Sequence, residues 1–268
     1  MSTFTATSER EVWFERAGTR LYALEVGQLD STKPIVFMHG GLADHRAAML
    51  YVGPLLAAHR VIVPDLRGAG RSVFAGALSW QQLADDLDAL LAHLGIERAA
   101  IGGSSMGSGV ALRFALSHPE RTAGLLLTAP VFAGTDRGLS PAQAEAMRGM
   151  GEAGQIALER GVEALIPLYN RLPVVVRERA VEMLKSFDAA SVATTTRLLA
   201  SGKQPFDSAA ELSKLTVPAL VIAGTDAEHP VEVAELYKNH IQHAQLADPA
   251  DADLPNIIAS FCASLPWP

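Results

Sequence analysis

The chain has 268 residues, 49% of them apolar and 19% charged, enough for one large core or for one domain carrying an insertion. Its formal net charge is −7 with no concentrated run of Lys or Arg, which argues against a nucleic-acid partner. No stretch approaches about eighteen apolar residues, and MSTFTATSEREVWFERAG lacks a basic start ahead of an apolar core; the expectation is a cytoplasmic monomer or homodimer that does not span a membrane.

In chain order, EVWFERAG and TRLYALEVG alternate as an antiparallel pair would at one edge of a sheet. Five short apolar runs follow: IVFMHG (35 to 40), VIVPDL (61 to 66), AAIGGS (99 to 104), GLLLTAP (124 to 130) and PALVIAG (218 to 224). Interleaved with helical patterns, they predict an α/β fold with a mostly parallel, doubly wound sheet. The segment SWQQLADDLDALLAHLG is a helix: Ser79 and Gln82 have capping-box spacing, apolar residues recur at 83, 87, 90, 91 and 94, and Gly95 stops it. After Pro130 the alternation ends. Residues 131 to 212 are helical in pattern, with only LPVVV ambiguous, and an all-helical insertion after the sixth strand predicts a lid over a core made of 1 to 130 and 213 to 268. HAQLAD is the expected eighth strand, and the single cysteine, Cys262, sits in the apolar IIASFCASL as a structural thiol.

Ligands of open α/β sheets bind at the carboxyl ends of the strands, so the residues just beyond each run carry the chemistry. After AAIG comes Gly103-Ser104-Ser105-Met106-Gly107, a G-x-S-x-G pattern between a strand and the helix SGVALRFALSHP. A sharp turn there lifts the Ser105 hydroxyl above the sheet and aims the Met106 amide at whatever the hydroxyl attacks. The plainer alternative is that Ser105 only caps the helix. After IVFM comes His39-Gly40-Gly41-Leu42, whose flexible backbone can aim the amide of Gly41 or Leu42 at the same point; with Met106 it makes a two-donor oxyanion hole. His39 is expected to brace this turn.

These residues, together with DLRGAGRS (65 to 72), SHPER (117 to 121) and VPALVIAGTDAEHP (217 to 230), make the chain resemble the α/β-hydrolases with a helical lid. In that family the triad runs serine, acid, histidine, with the acid after the seventh strand and the histidine after the eighth. The resemblance implies Asp226 as the acid, Asp65 and Arg67 as supports of a turn beneath the site, and a reaction on a small ester, lactone or related acyl substrate. It implies no metal and no organic cofactor.

One part of the pattern is missing. The loop after the eighth strand reads PADADLP, with Asp253 where the histidine is expected, and no histidine follows it. Of the eight histidines, His45, His59, His93 and His118 lie at helix ends, and His240 and His243 lie at the far edge of the sheet from Ser105. His229, three residues after Asp226, is placed to serve as the base; otherwise it is a loop-bracing residue in a chain that has lost its triad, a ligand receptor or a protein of other cofactor-free chemistry. Two arrangements stay open for the acid: Asp226 from the same loop, or Asp251 or Asp253 from the neighbouring one.

Overall fold

The protein is described from a computed structural model covering residues 8 to 172 and 174 to 267. Eight strands form one sheet: β1 (Ser8–Arg16), β2 (Thr19–Gly27), β3 (Pro34–Met38), β4 (Arg60–Pro64), β5 (Ala99–Ser104), β6 (Thr122–Thr128), β7 (Pro218–Ile222) and β8 (His243–Ala247). Their order is β1-β2-β4-β3-β5-β6-β7-β8, with β1, β2 and β4 joined antiparallel and the rest parallel. The expected edge hairpin and buried runs are therefore present. β3, β5 and β6 are buried at every position because helices cover both faces, which is why they read as continuous apolar runs and not as alternating ones.

The two faces are packed by different helices. On one side Val36, Ile101, Leu125 and Val221 meet α2 (Trp80–His93), α3 (Met106–Ser117) and α7 (Val231–His240). Their strand neighbours Phe37, Ala100, Leu126 and Leu220 point the other way, onto α1 (His45–Val52) and α8 (Leu254–Ser264). Cys262 is buried in this second layer, and burial pushes its thiol up to about 12, away from reactivity at neutral pH. In α2, Ser79 accepts the Gln82 amide as the spacing predicts, and Gly95 beyond the helix takes the positive φ of 65° that stops it.

Between β6 and β7 the described residues form helices and no strand: α4 (Pro141–Arg160), 3₁₀ turns over Val162–Arg171, α5 (Val174–Lys185) and α6 (Ala189–Ala200). The ambiguous LPVVV run leads into α5; Pro173 within it lies outside the described residues. Ala157, Leu165, Leu184 and Val192 give this unit a small core of its own, set on Leu42, Ala43 and Ala47. The flanks of the insertion behave differently. Val131, Phe132, Phe206 and Leu212 belong to the main core, and the two flanks bind each other through Thr135 N to Phe206 O at 3.2 Å and Asp136 N to Asp207 O at 2.9 Å. The helical unit is thus set on a hydrogen-bonded neck.

Candidate active site

The strand-to-helix turn after β5 is sharp. Ser105 has φ 53° and ψ −112°, a left-handed conformation that a non-glycine residue adopts only under constraint, and its amide is held by Thr128 O at 3.0 Å. The constraint explains both flanking glycines. A Cβ on Gly107 would lie 2.5 Å from the Met38 carbonyl oxygen, and one on Gly103 would lie 2.6 Å from that of Gly107. Ser105 makes no side-chain bond to the helix it precedes, so the capping alternative does not hold. The Met106 amide opens α3, where no carbonyl stands four residues back to receive it. The neighbouring turn brings Gly40 against the serine: a Cβ on Gly40 would lie 3.4 Å from Ser105 Cβ. Leu42 in the same turn has φ 52°.

His39 is a brace. It is buried, its Nδ1 lies 2.7 Å from the Gly40 carbonyl and its Nε2 accepts the Leu66 amide at 3.0 Å. The carbonyl requires the proton on Nδ1, and the amide requires a lone pair on Nε2, so the ring is neutral in its working form. Burial lowers its pKa, in the same direction. Asp65 accepts the amides of His45 and Arg71 and the His45 ring, while Arg67 is buried against Asp86 and Arg16 O; both support turns, as expected. Asp44, His45 and Asp65 lie close enough to share a cation, but Arg46 and these internal hydrogen bonds already engage the carboxylates.

His229 stands over the serine. Its Nε2 is 3.0 Å from Ser105 Oγ, and its Nδ1 is 2.8 Å from Asp226 Oδ1. Local chemistry makes the second contact. Asp226 closes a tight turn by accepting the amides of Glu228 and His229, each at 2.9 Å on the same oxygen that faces the ring. Burial alone would raise the Asp226 carboxyl, but the His229 ring and the two amides outweigh it and hold the carboxyl below its usual range. The turn folds back so tightly that a Cβ on Gly224 would come within 3.0 Å of both Cβ and O of His229. The Asp226 side chain is 60% exposed, so water screens its charge, whereas that of His229 is only 17% exposed.

Asp253 and Asp251 are not brought to His229. The PADADLP loop turns on itself, with Asp248 accepting the Ala250 amide, Asp251 the Asp253 amide and Asp253 the Asn256 side chain at 2.6 Å. The alternative in which the eighth-strand loop supplies the acid is therefore corrected: these carboxylates bond within their own loop and to the Asn256 side chain.

A cleft of about 390 Å³ opens beside this constellation, lined by Gly41, Leu42, Met150, Leu168, Tyr169 and Glu228 among others. Met150, Leu168 and Tyr169 of the helical unit line it, while Met147, Leu165 and Met183 are buried in packing. Two contributors escape a reading of motifs. Gly224 shows only as a glycine at a strand end. Gln143 has a readable signal, the Ser140-Pro-Ala-Gln143 capping box that the structure forms in full, but nothing in that spacing reveals the other end of its side chain.

Residues 33 to 155 match the model of the alpha/beta hydrolase fold family. With the sheet order and the strand-to-helix turn, this gives the chain the α/β-hydrolase fold. A thermophilic esterase from Thermogutta terrifontis superposes with a TM-score of 0.74 at 28% identity, covering 95% of this chain and 96% of that one. The enol-lactonase from Burkholderia xenovorans LB400 shares the fold with a TM-score of 0.77 at 21% identity, over 94% of this chain and all of the other. Among curated relatives, a probable proline iminopeptidase from Streptomyces coelicolor is 34% identical over 183 residues, 60% of this chain; the chain spans 54% of that relative's length. No helix among the described residues is long and apolar enough to cross a membrane.

Proposed function

We propose that the protein is a serine hydrolase of small esters, lactones or related acyl compounds, with its general base moved from the eighth-strand loop to His229. The observation that carries this reading is the unbroken line Asp226 Oδ1, His229 Nδ1, His229 Nε2, Ser105 Oγ at 2.8 and 3.0 Å. Asp226 holds the Nδ1 proton, which leaves the Nε2 lone pair facing the serine hydroxyl. Nε2 takes the hydroxyl proton as Oγ attacks the acyl carbon, and the amides of Met106 and of Gly41 or Leu42 receive the oxyanion. The protonated ring then gives its proton to the departing alcohol oxygen. Water, deprotonated by the same ring, releases the acid and restores the serine.

The helical unit acts as a lid, and the apolar lining of its cleft suits a short alkyl or aryl group on the substrate. A fluorophosphonate probe tests the reading. The wild type is expected to be labelled at Ser105, Ser105→Ala not at all, and His229→Ala roughly 10³-fold more slowly, the order of loss expected for a triad member. An unlabelled wild type would refute the hydrolase. Labelling of His229→Ala at the wild-type rate would refute the relocated base. Parallel assays with p-nitrophenyl butyrate and proline p-nitroanilide separate ester from the prolyl amide suggested by the curated relative's name.

A further inference from the structure

Placing acid and base on one loop creates a positioning problem. Asp226 fixes the ring of His229 relative to their shared turn, but not relative to Ser105 on another strand. The bonds of Asp226 to the Glu228 and His229 amides are internal to the loop, and so is the close approach of Gly224 to His229. From outside the loop, Gln143 Nε2 donates to Glu228 O at 3.2 Å.

Gln143 is itself held firmly. It is 3% exposed, Nε2 also donates to Val131 O at 2.7 Å, and Oε1 accepts the Ser140 amide at 3.0 Å. This network fixes the amide orientation, because exchanging N and O would set an oxygen against two carbonyl oxygens and an NH₂ against an N–H. One buried side chain thus joins three pieces: the first turn of lid helix α4, the segment after β6, and the residue preceding the base. Immediately before that segment's start at Ala129, β6 ends in Thr128, whose carbonyl holds the Ser105 amide at 3.0 Å.

We infer, building on the hydrolase reading, that Gln143 is a positioning residue: through Val131 O and Glu228 O it registers the His229 loop on the segment after β6, the strand whose last residue holds the Ser105 amide, and so couples docking of the lid helix to formation of the base–nucleophile contact. The acid–base pair stays intact without it, because Asp226 and His229 are bonded within their own turn. What is lost is the placement of that pair over the serine. A displacement of about 1 Å at a reacting group is enough for a large loss of rate.

The experiment uses the full chain and a fluorophosphonate at increasing concentrations, so that initial binding and the maximal labelling rate are read separately. Gln143→Met removes both donors at nearly constant volume. It is expected to lower the maximal labelling rate roughly 10- to 100-fold, with initial binding changed less than threefold. The downfield proton resonance of His229 Nδ1–H should persist in the variant. Ser140→Ala weakens the same helix cap without touching the two donors, and is expected to lower the melting temperature while leaving the labelling rate within threefold. Should Gln143→Met not fold, Gln143→Asn, which withdraws the amide by one methylene, carries the same expectation. A wild-type labelling rate in the folded Gln143 variant overturns the proposal, as does an equal loss in Ser140→Ala or disappearance of the Nδ1–H resonance. Failure of the hydrolase reading looks different: the wild type itself would then go unlabelled at Ser105, whereas failure of the relocated base alone would show as His229→Ala labelling as fast as the wild type.

Discussion

Gly224→Ala is the sharpest single test of how His229 is placed over Ser105 and of the proposed role of its ring as base. Gly224 lies outside the left-handed region, so alanine brings no backbone strain there, and the whole effect of the substitution is the contact made by one methyl group. That methyl would fall within 3.0 Å of the Cβ and carbonyl oxygen of His229, where ordinary contact begins at 3.4 Å. The neighbour that must yield is His229 itself, since β7 beneath is buried from Ala219 to Ile222. A retreat on the order of 1 Å opens the 3.0 Å bond to Ser105 beyond hydrogen-bond reach. The expected consequence is an acylation rate lowered about 10²-fold, roughly 2.7 kcal/mol on the barrier. Stopped-flow release of p-nitrophenol from an activated ester measures it, with the melting temperature as a check on folding. Gly53→Ala, where a methyl group meets nothing within 4 Å, is the matching control and should react like the wild type. A folded Gly224→Ala protein acylating within threefold of the wild-type rate would refute the argument.

The two aspartates should separate cleanly. Asp226→Asn is expected to lower acylation about 10² to 10³-fold, less than a fully buried acid would cost, because water already screens this carboxylate; Asp253→Asn, which faces Asn256, should change it less than twofold. Equal small losses in both would leave a serine–histidine dyad. His39 sets a pH limit on stability. Its folded pKa is lowered by burial, so between that value and the unfolded value of about 6.5 the unfolded chain binds the extra proton, and stability present above about pH 6.5 falls as the pH drops through this window. Melting temperatures recorded from pH 7.5 to 5 should show the decline, and His39→Gln, which supplies a donor and an acceptor without titrating, should flatten it; parallel curves would count against this account.

Period and composition made most of this protein legible in its sequence. Buried parallel strands have to be continuous apolar runs, so β3 to β7 could be read directly, and the G-x-S-x-G turn was readable because only glycines fit where Gly103 and Gly107 meet neighbouring backbone. Elimination among eight histidines left His229, since positions at the amino ends of strands lie a full strand length from the nucleophile. Spacing could not choose the acid. Asp226 and Asp253 are both aspartates in turns at the ends of strands, and either could be drawn toward an imidazole on paper; the folded loops bring only Asp226 to the ring, because its turn closes on His229 while the 248 to 253 carboxylates bond within their own loop and to the Asn256 side chain. The extent of the helical insertion was likewise a tertiary matter. Helical pattern gave 131 to 212, but the apolar residues at both margins are shared with the main core, and a one-dimensional pattern does not say which of two cores a buried phenylalanine joins. Gln143 marks the same boundary: its cap is local and visible in the sequence, whereas its bond to Glu228 spans 85 residues and exists only once α4 and the loop carrying His229 have been folded against each other.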